Sequence, residues 1–486
     1  MMTEGGGSVK TLGMNIFMAA GEMAPFARNG ALADAMLSLA EELQRLGHQV
    51  SVAIPYYRCI RENKNLKVKK KSVKITVLMG NQTRTAEVFE SRSPDGVQVL
   101  LIARDEYFDR TGIYGGDGGS YQDNAERFIF FTKCVLELAQ RLDPAPDILH
   151  VHDWQTALLP LFVKAQQIAF PTVLTIHSLE FQGNFWSYDF ALTNLGAEWF
   201  SMNGAEFYGS MNCLKAGVKQ ADAVIVSSEY YAHEIQTTEF GCGLDAVFRE
   251  NAWKLQGIPS GVDDATRNPA TDKLLAATFT AKNTKGKVAC RDAILKKLDL
   301  APTPKGPVFA LISDVIQSKS LDRLLPILDR FLANDVRLIL IGRVDDRYLL
   351  SIKTYLRKHH GKLAWRESDD ETHALIAGAD AILFPSQVNP EIAISSLRYG
   401  TIPVARAFGG LEQIVTPYNE AGNGFVFYDD APEALLDILR YSLQIFSDTV
   451  QWKLLMQRAM QADFSWSASA KRHEQVYKKF VKTSAK

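Results

Sequence analysis

Short apolar runs alternate along the chain with longer segments in which apolar residues recur every three or four positions. The first run, MNIFMAA (14–20), leads through a loop into LADAMLSLAEELQRLGHQV (32–50), whose spacing predicts a helix that ends at Gly47. The next run, VSVAIP (50–55), is typical of a strand, and further strands are predicted at VQVLLIA (97–103), DILHVH (147–152) and TVLTIH (172–177). This order of strand, helix and strand indicates a doubly wound α/β sheet.

A second series of the same kind occupies the C-terminal half of the chain. Its strands are predicted at PVFALIS (307–313), VRLILIG (336–342), AILFPS (381–386) and GTIPVAR (400–406), with a helix at SLDRLLPILDRFLA (320–333). The segment between the two series, LQGIPSGVDDATRNPATD (255–272), is rich in Gly, Pro and polar residues and is typical of a hinge. Because 486 residues exceed what one ordinary core holds, we predict two α/β domains that face each other across a cleft.

The amino-acid composition bears on which classes of ligand, nucleic acid or membrane the chain is expected to bind. With 47% hydrophobic and 22% charged residues and a formal net charge of -1, the chain does not favour broad electrostatic binding to nucleic acid or to a membrane. Its five cysteines are odd in number and widely spaced, which fits neither a disulfide framework nor a zinc site and indicates a reducing, cytoplasmic location. The polar N-terminus lacks the apolar core of a signal peptide, and residues 1–13 are predicted to be a disordered tail.

Polar side chains stand at the ends of two neighbouring predicted strands. His152 and Asp153 end the strand of HVHDWQTALLP, and His177 ends the strand of TIHSLEFQGNF. Because the carboxyl ends of parallel strands meet at one edge of a sheet, where such folds bind ligands, these residues form a candidate site. A metal bound by His152, Asp153 and His177 is the less favoured alternative, since strand-end spacing gives no characteristic ligand pattern, and we predict neither a metal nor another cofactor.

Two glycine-containing turns precede predicted helices, one in each half of the chain. In GEMAPFARNGALAD, Gly30 stands where a helix begins and Arg28 lies just before it, and free N–H groups at such a position attract phosphate. An ordinary strand-to-helix turn explains this glycine equally well. In RAFGGLEQIV, Gly409 and Gly410 form a backbone turn of the same type, and the two turns together suggest a nucleotide diphosphate as ligand.

Two further signals are weaker on their own. The loop GGDGGSYQDNAERFIFF leads into a helix predicted to be capped near Asp123, and it offers Tyr121 and Asn124 to sugar hydroxyls, although a plain connector explains it as well. Lys319, near a helix start, can meet a leaving phosphate as a point charge, although a solvated lysine is the simpler explanation. Asp314 in the same segment would repel a diphosphate.

Taken together, these segments resemble the family of bacterial glycogen synthases and plant starch synthases, retaining glucosyltransferases that move glucose from ADP-glucose to the non-reducing end of an α-1,4-glucan. The resemblance runs from about Met14 to Tyr477. It is carried by GEMAPFARNGALAD, YQDNAERFIFF, HDWQTALLP, TIHSLEFQGNF, EFYGSMNCLKAGVKQADAV, TEFGCGLD, LRYGTIPV and DFSW.

The resemblance implies a GT-B fold with two Rossmann-like domains. We place the N-terminal, acceptor-side domain at 14–258 and the C-terminal, nucleotide-sugar domain at 259–463. A C-terminal helix within 464–486 is then expected to pack back on the N-terminal domain. The implied ligands are a nucleotide-sugar donor and an α-1,4-glucan acceptor.

Several functional residues of the family match residues of this chain. The family's histidine beside the reacting sugar matches His177, and its lysine that helps to bind the departing diphosphate matches Lys319. Other matched positions of the family's pocket are Glu22, Tyr121, Asp153, Gly409 and Gly410. The chain departs from the family where the donor-site glutamate is expected, because the loop is shortened there and either Asn389 or Glu391 takes that place.

The other departures fall in the same predicted pocket. Ala31 replaces a glycine of the first turn, Ser178 and Ser260 replace asparagines, and Asp314 replaces an arginine. Loss of one preorganised donor costs about 3 to 4 kcal/mol of transition-state stabilisation. We therefore expect a glucosyltransferase with impaired or altered donor use. The alternative is a catalytically inactive paralogue that binds α-glucan and acts in granule initiation or regulation.

Overall fold

The computed structural model describes residues 13–116, 119–262, 268–303, 305–367, 372–386, 390–407, 411–420 and 422–481, excluding the side chains of residues 314, 315, 391 and 420. The chain divides into two compact units. Unit 1 extends to Gly261 and also contains the chain from Trp466 onward, and unit 2 is Val262–Ser465. All but the last residue of the predicted tail, 1–13, lies outside the described residues.

Unit 1 contains a large, mostly parallel β-sheet, and helices connect many of its strands. Its strands are β1 Asn15–Ala19, β2 Gln49–Pro55, β3 Lys69–Met79, β4 Gln82–Arg92, β5 Gln98–Ala103, β6 Gly115–Gly116, β7 Gly119–Ser120, β8 Ile148–His152, β9 Thr172–Ile176, β10 Asn184–Phe185, β11 Glu206–Phe207, β12 Ser210–Asn212, β13 Ala223–Val226 and β14 Leu255–Gly257. Its helices up to the boundary with unit 2 are α1 Ala31–Arg45, α2 Arg58–Glu62, α3 Asp105–Phe108, α4 Asn124–Ala139, α5 Leu159–Ala165, α6 Cys213–Gln220, α7 Glu229–Glu234 and α8 Asp245–Glu250.

The large sheet of unit 1 has the order β14-β13-β9-β8-β1-β2-β5-β4-β3 among the described residues. Its strands pair in parallel except for β3 and β4, which form an antiparallel hairpin that pairs with β5. β8 and β9, near the middle of this sheet, are buried along their length, which agrees with the mainly apolar runs from which the sequence predicted them. A separate three-stranded sheet has the order β10-β12-β11.

Unit 2 repeats the parallel arrangement. Its strands are β15 Val308–Val315, β16 Arg337–Arg343, β17 Leu363–Arg366, β18 Ala381–Phe384, β19 Ile402–Arg406 and β20 Phe425–Phe427, in the sheet order β17-β16-β15-β18-β19-β20. Its helices are α9 Lys285–Lys297, α10 Ser318–Leu324, α11 Leu328–Leu332, α12 Asp346–Lys358, α13 Thr372–Gly378, α14 Pro390–Arg398, α15 Leu411–Ile414, α16 Pro432–Ser447 and α17 Thr449–Gln461. Short 3-10 helices of the two units lie at Ser187–Thr193, Ala197–Trp199, Ala252–Lys254, Leu325–Ile327 and Tyr418–Glu420.

The last helix, α18 (Trp466–Lys478), belongs to unit 1, where it packs against α1. Ala470, Val476 and Tyr477 of α18 are buried in the unit 1 core. No helix in the described part of the chain has the length and apolar character needed to cross a membrane.

Two predicted elements differ from the structure. The single helix expected over 320–333 is interrupted, because Pro326 lacks an N–H group and its ring displaces the preceding turn, so a 3-10 turn separates α10 from α11. The predicted hinge, 255–272, begins with a strand instead, since Leu255–Gly257 is β14 and pairs with β13. Residues 263–267 of the predicted hinge lie outside the described residues.

Candidate functional site

The two strand-end histidines meet at the carboxyl edge of the unit 1 sheet. β8 and β9 are parallel neighbours, and the register places His152 beside Thr175, two residues before His177. Nδ1 of His152 lies 3.2 Å from Nε2 of His177. The two imidazole rings, which the sequence predicted to lie at the same edge of the sheet, are therefore in contact in the structure.

Asp153 fixes the backbone that carries His177. Its Oδ1 accepts a hydrogen bond of 2.7 Å from the N–H of His177, and its own N–H donates to the carbonyl of Thr175 at 2.9 Å. The residue is 9% exposed and has a left-handed φ of 53°, which an aspartate tolerates better than most residues. Asp153 thus connects the end of β8 to the residue that follows β9.

Burial sets the charge state of this cluster. It raises the pKa of the Asp153 carboxyl to about 7, against the lowering effect of the N–H groups of His177 and Ser178. Burial also lowers the pKa of His177 to about 4, although the nearby Glu22 carboxylate acts to raise it. The pKa of His152 is likewise well below its ordinary value because the ring is buried. Both histidines are therefore uncharged at neutral pH.

A third histidine connects the site to the C-terminal helix. His150 is fully buried, its Nε2 lies 2.7 Å from the Thr175 hydroxyl, and its ring centroid lies 4.1 Å from that of His152. Its Nδ1 lies 2.8 Å from the hydroxyl of Tyr477 in α18. Sequence reasoning missed this contact, because nothing in the local pattern relates residues 150 and 477.

Glu22 closes the loop between β1 and α1. The side chain is 3% exposed, and its Oε2 accepts hydrogen bonds from the N–H groups of Asn29 and Gly30, the latter at 3.0 Å. Its Oε1 accepts a hydrogen bond of 3.0 Å from the Tyr114 hydroxyl. The sequence predicted a free N–H group at Gly30, whereas in the structure that N–H is hydrogen-bonded to a carboxylate of the same loop. Binding of a nucleotide sugar at Gly30 stays a prediction.

The other features of the first loop leave room for a ligand. Gly30 has an extended φ of −152°, and a Cβ added there would meet nothing within 4 Å. The fold itself therefore does not require a glycine at this position. The Arg28 guanidinium is exposed and pairs with the carboxylate of Asp34 on α1.

Tyr121 and Asn124 are engaged inside unit 1. Asn124, the first residue of α4, is 6% exposed, donates to the carbonyl of Tyr114 at 2.9 Å and accepts from Arg127 at 2.6 Å. Both ends of its carboxamide are used, which speaks against the predicted contact with a sugar hydroxyl. The Tyr121 hydroxyl accepts a hydrogen bond of 3.2 Å from the N–H of Gly112.

The predicted cap of α4 at Asp123 makes no side-chain hydrogen bond to the helix. Its carboxylate instead accepts two hydrogen bonds from the Arg110 guanidinium, at 2.7 and 2.6 Å. Asp123 is thus the N-cap residue of α4, as predicted, but its carboxylate holds the preceding loop through an ion pair and does not bond the helix N–H groups.

In unit 2, Lys319 lies in a group of cations that surrounds one carboxylate. Lys319 is exposed in the first turn of α10, and its carbonyl accepts a hydrogen bond of 2.9 Å from Arg323. Arg323 also pairs with Asp430, and Arg406, at the end of β19, pairs with the same Asp430 oxygen at 3.0 Å. We call this group the basic cluster; it consists of Lys319, Arg323, Arg406 and Asp430.

The electrostatics of the basic cluster are dominated by its cations. Burial alone would raise the pKa of the Asp430 carboxyl, but the hydrogen bond and charge of Arg323 lower it, with further lowering by Arg406 and Lys319. The Asp430 side chain is 64% exposed, so solvent screens its ion pairs with the two arginines. Sequence reasoning identified only Lys319 here, because Arg323 and Arg406 lie in unremarkable apolar segments.

Several predicted positions cannot be placed. Gly409, Gly410 and Asn389 lie outside the described residues. Glu391 lies in α14 and Asp314 in β15, but the side chains of both lie outside what the structure describes.

All five cysteines are free thiols: Cys59, Cys134, Cys213, Cys242 and Cys290. Within the described ranges, no group of three or more His, Cys, Asp or Glu side chains is arranged to hold a metal ion.

Comparison with known proteins agrees with this arrangement. Residues 15–250 match the family described as the starch synthase catalytic domain, and residues 296–447 match glycosyl transferases group 1. The chain is 37% identical to a glycogen synthase of Opitutus terrae, over 96% of this chain and 99% of that protein. It is 38% identical to a glycogen synthase of Moorella thermoacetica, over 96% of each.

Among solved structures, the chain is similar to the catalytic domain of starch synthase IV from Arabidopsis thaliana, a structure that is bound to ADP and acarbose. The TM-score is 0.75 at 26% identity, and the match covers 97% of this chain and 100% of the other. The predicted fold class, two Rossmann-like α/β domains of the GT-B type, is confirmed. The chain therefore belongs to the family of glycogen and starch synthases, which are GT-B glycosyltransferases.

Proposed function

We propose that this chain transfers glucose from a nucleotide-sugar donor to the non-reducing end of an α-1,4-glucan. The donor is ADP-glucose by family resemblance, and the similarity to a starch synthase bound to ADP supports that choice. The acceptor follows from the relatives named glycogen synthase. The observation that carries the proposal is the contact of 2.7 Å by which buried Asp153 holds the backbone of His177.

The neutral state of His177 suits a reaction at a sugar. Glycosyl transfer passes through an oxocarbenium-like sugar that carries developing positive charge. A protonated histidine beside that sugar would oppose the charge, whereas a ring with a pKa of about 4 stays neutral and can still hydrogen-bond a hydroxyl. Burial therefore supplies the charge state that the proposed role of His177 requires.

The leaving diphosphate needs positive charge, and the basic cluster of unit 2 supplies it. As the diphosphate departs, negative charge grows on its oxygens, and cations fixed in advance stabilise that charge most effectively. Asp430 already draws Arg323 and Arg406 together, with Lys319 on the adjacent turn. We assign Lys319 to the diphosphate and infer that Arg323 and Arg406 support it.

The altered positions argue for impaired or altered donor use. Ser178 is exposed, and its hydroxyl accepts a hydrogen bond of 3.1 Å from the N–H of Glu180, two residues on. The Ser178 hydroxyl is thus used in a local hydrogen bond, and the side chain is shorter than the family's asparagine, so it extends less far toward a ligand. This observation also favours the second candidate, an inactive paralogue that binds α-glucan, and the transfer assay decides between them.

The test is transfer of labelled glucose to glycogen by the purified protein, with ADP-glucose and UDP-glucose in parallel. We compare the wild type with His177→Ala, with a heat-killed sample, and with His233→Ala as a matched control, because His233 is an exposed histidine of α7. Transfer that His177→Ala abolishes and His233→Ala preserves would support the proposal. Absence of transfer from either donor, with glycogen binding retained, would contradict it and favour the inactive paralogue.

A further inference from the structure

Four aromatic side chains in the segment after β9 project into solvent. Phe181 is 64% exposed, Trp186 79%, Tyr188 86% and Tyr208 90%. In the described part of unit 1, the one other aromatic residue with a large exposed fraction is Trp253, at 79%. Single exposed apolar residues are common, but a concentration of large rings within a short segment marks a binding surface.

The small sheet of unit 1 brings two of these rings to the same end. β10 pairs antiparallel with β12, so the chain leaving β10 at Trp186 runs toward the β11–β12 turn. That turn carries Tyr208, because Phe207 pairs with Ser210 across it. Tyr188 follows two residues after Trp186. We call Trp186, Tyr188 and Tyr208 the aromatic platform.

The base of the aromatic platform is rigid. Tyr208 has a left-handed φ of 48°, which is unusual for a bulky residue, and Gly209 follows with a φ of 79°. Glu206 accepts a hydrogen bond of 2.9 Å from the N–H of Gly209, and buried Lys215 donates to the carbonyl of Glu206 at 2.6 Å. The turn is thus held in a strained form that presents the Tyr208 ring to solvent and reduces the entropy lost on binding.

The aromatic platform is connected to the candidate site. Phe185 precedes Trp186 in the chain, and its ring centroid lies 5.5 Å from that of Trp154. Trp154 directly follows Asp153, whose carboxylate holds His177. The base of the aromatic platform therefore packs beside the segment that leaves β8 at Asp153.

The chemistry of the segment selects the class of ligand. Residues 181–212 contain Asp189, Glu198 and Glu206 but neither lysine, arginine nor histidine. Such a surface does not attract phosphates or anionic lipids. Aromatic faces combined with carboxylate acceptors suit a neutral ligand that has apolar C–H faces and many hydroxyl donors, which describes a chain of hexoses.

We propose that the aromatic platform binds the body of an α-glucan polymer, outside the chain end that reacts. This inference rests on the proposed function only in taking α-glucan as the ligand. The platform then raises affinity for a branched polymer more than for a short oligosaccharide, because a second contact on the same polymer binds with a high effective concentration.

The test compares the double variant Trp186→Ala/Tyr208→Ala with Trp253→Ala, a matched control. Trp253 has the same exposed fraction as Trp186, but it directly precedes β14, one edge strand of the large sheet, whereas the 3-10 helix that carries Tyr188 contacts β3, the other edge strand. Binding is measured by electrophoretic retardation in native gels that contain glycogen, without donor. We expect the dissociation constant for glycogen to rise about tenfold in the double variant and to stay unchanged in Trp253→Ala.

Further measurements separate loss of glucan binding by the aromatic platform from loss of folding. Trp186→Phe retains a ring and should keep most of the affinity, and thermal unfolding checks that each variant is folded. In the transfer assay, the ratio of KM for glycogen to KM for maltotriose should rise in the double variant. Three results would each contradict glucan binding by the aromatic platform. They are unchanged retardation of the folded double variant, an equal loss of retardation in Trp253→Ala, and no retardation of the wild type. If the wild type transfers no glucose but its retardation by glycogen still depends on the platform residues, the proposed function is contradicted and the platform inference stands.

Discussion

Replacing Asp153 by asparagine should make the protein more stable at alkaline pH while it removes transfer activity. The asparagine keeps an oxygen that can accept the hydrogen bond from the N–H of His177, which Asp153 accepts at 2.7 Å. It also tolerates the left-handed φ of 53° at this position. The substitution therefore removes the buried negative charge and leaves the local geometry in place.

The magnitude follows from the pKa of the buried carboxyl. In the unfolded chain an aspartate titrates near a pKa of about 3.9. In the folded protein burial raises the pKa of Asp153 to about 7. Between these values the folded state holds a proton that the unfolded state has lost, so the free energy of unfolding falls as the pH rises from about 4 to about 7. At ~1.36 kcal/mol for each pKa unit, the charge destabilises the fold by up to about 4 kcal/mol above pH 7.

The assay is urea unfolding of the wild type and of Asp153→Asn at pH 5, 6.5 and 8. We expect the variant to gain stability over the wild type as the pH rises, reaching about 2 to 4 kcal/mol at pH 8. Glu62→Gln, the same chemical change at an exposed position of α2, should run parallel to the wild type. A constant difference between Asp153→Asn and the wild type across these pH values would refute the argument.

Three other substitutions test separate parts of the structure. Gly30→Ala should leave the midpoint of thermal unfolding unchanged, because nothing lies within 4 Å of the added Cβ; a lower midpoint would show that the fold requires glycine there. Asp314→Arg should raise nucleotide affinity or turnover, and no gain in either would mean that residue 314 does not face the diphosphate. Tyr477→Phe should lower the free energy of unfolding by about 1 to 3 kcal/mol in urea, because it leaves Nδ1 of buried His150 without its 2.8 Å partner; equal stability would show that this contact contributes nothing.

The parallel core of each unit was predictable because its strands are buried on both faces. β8 and β9 are buried from end to end and mainly apolar, and a polar residue that packing does not demand stands at the end of β8, His152, and directly after β9, His177. The same rule that identified these strands also placed His152 and His177 at one edge. The register of the sheet then determines their contact, which the sequence predicted only as proximity.

The hairpin of β3 and β4 escaped prediction for the opposite reason. Burial alternates along much of Lys69–Met79, and three of its six exposed positions are lysines, so no continuous apolar run appears. Long-range contacts are equally invisible to local patterns, as the pair of His150 and Tyr477 shows, because the two residues are separated by 327 positions. The internal capping by Glu22 escaped because its carboxylate reaches forward by eight residues to Gly30, beyond the usual spacing of helix caps.

The contact between Glu22 and the N–H groups of Asn29 and Gly30 changes what the first glycine turn can bind. A phosphate gains the N–H groups only by displacing the Glu22 carboxylate, which is 3% exposed and would then be a buried charge without these partners. A sugar hydroxyl faces no such competition, because it can donate to a carboxylate that keeps its backbone partners. On this argument the first glycine turn favours a polyhydroxyl ligand over an anion.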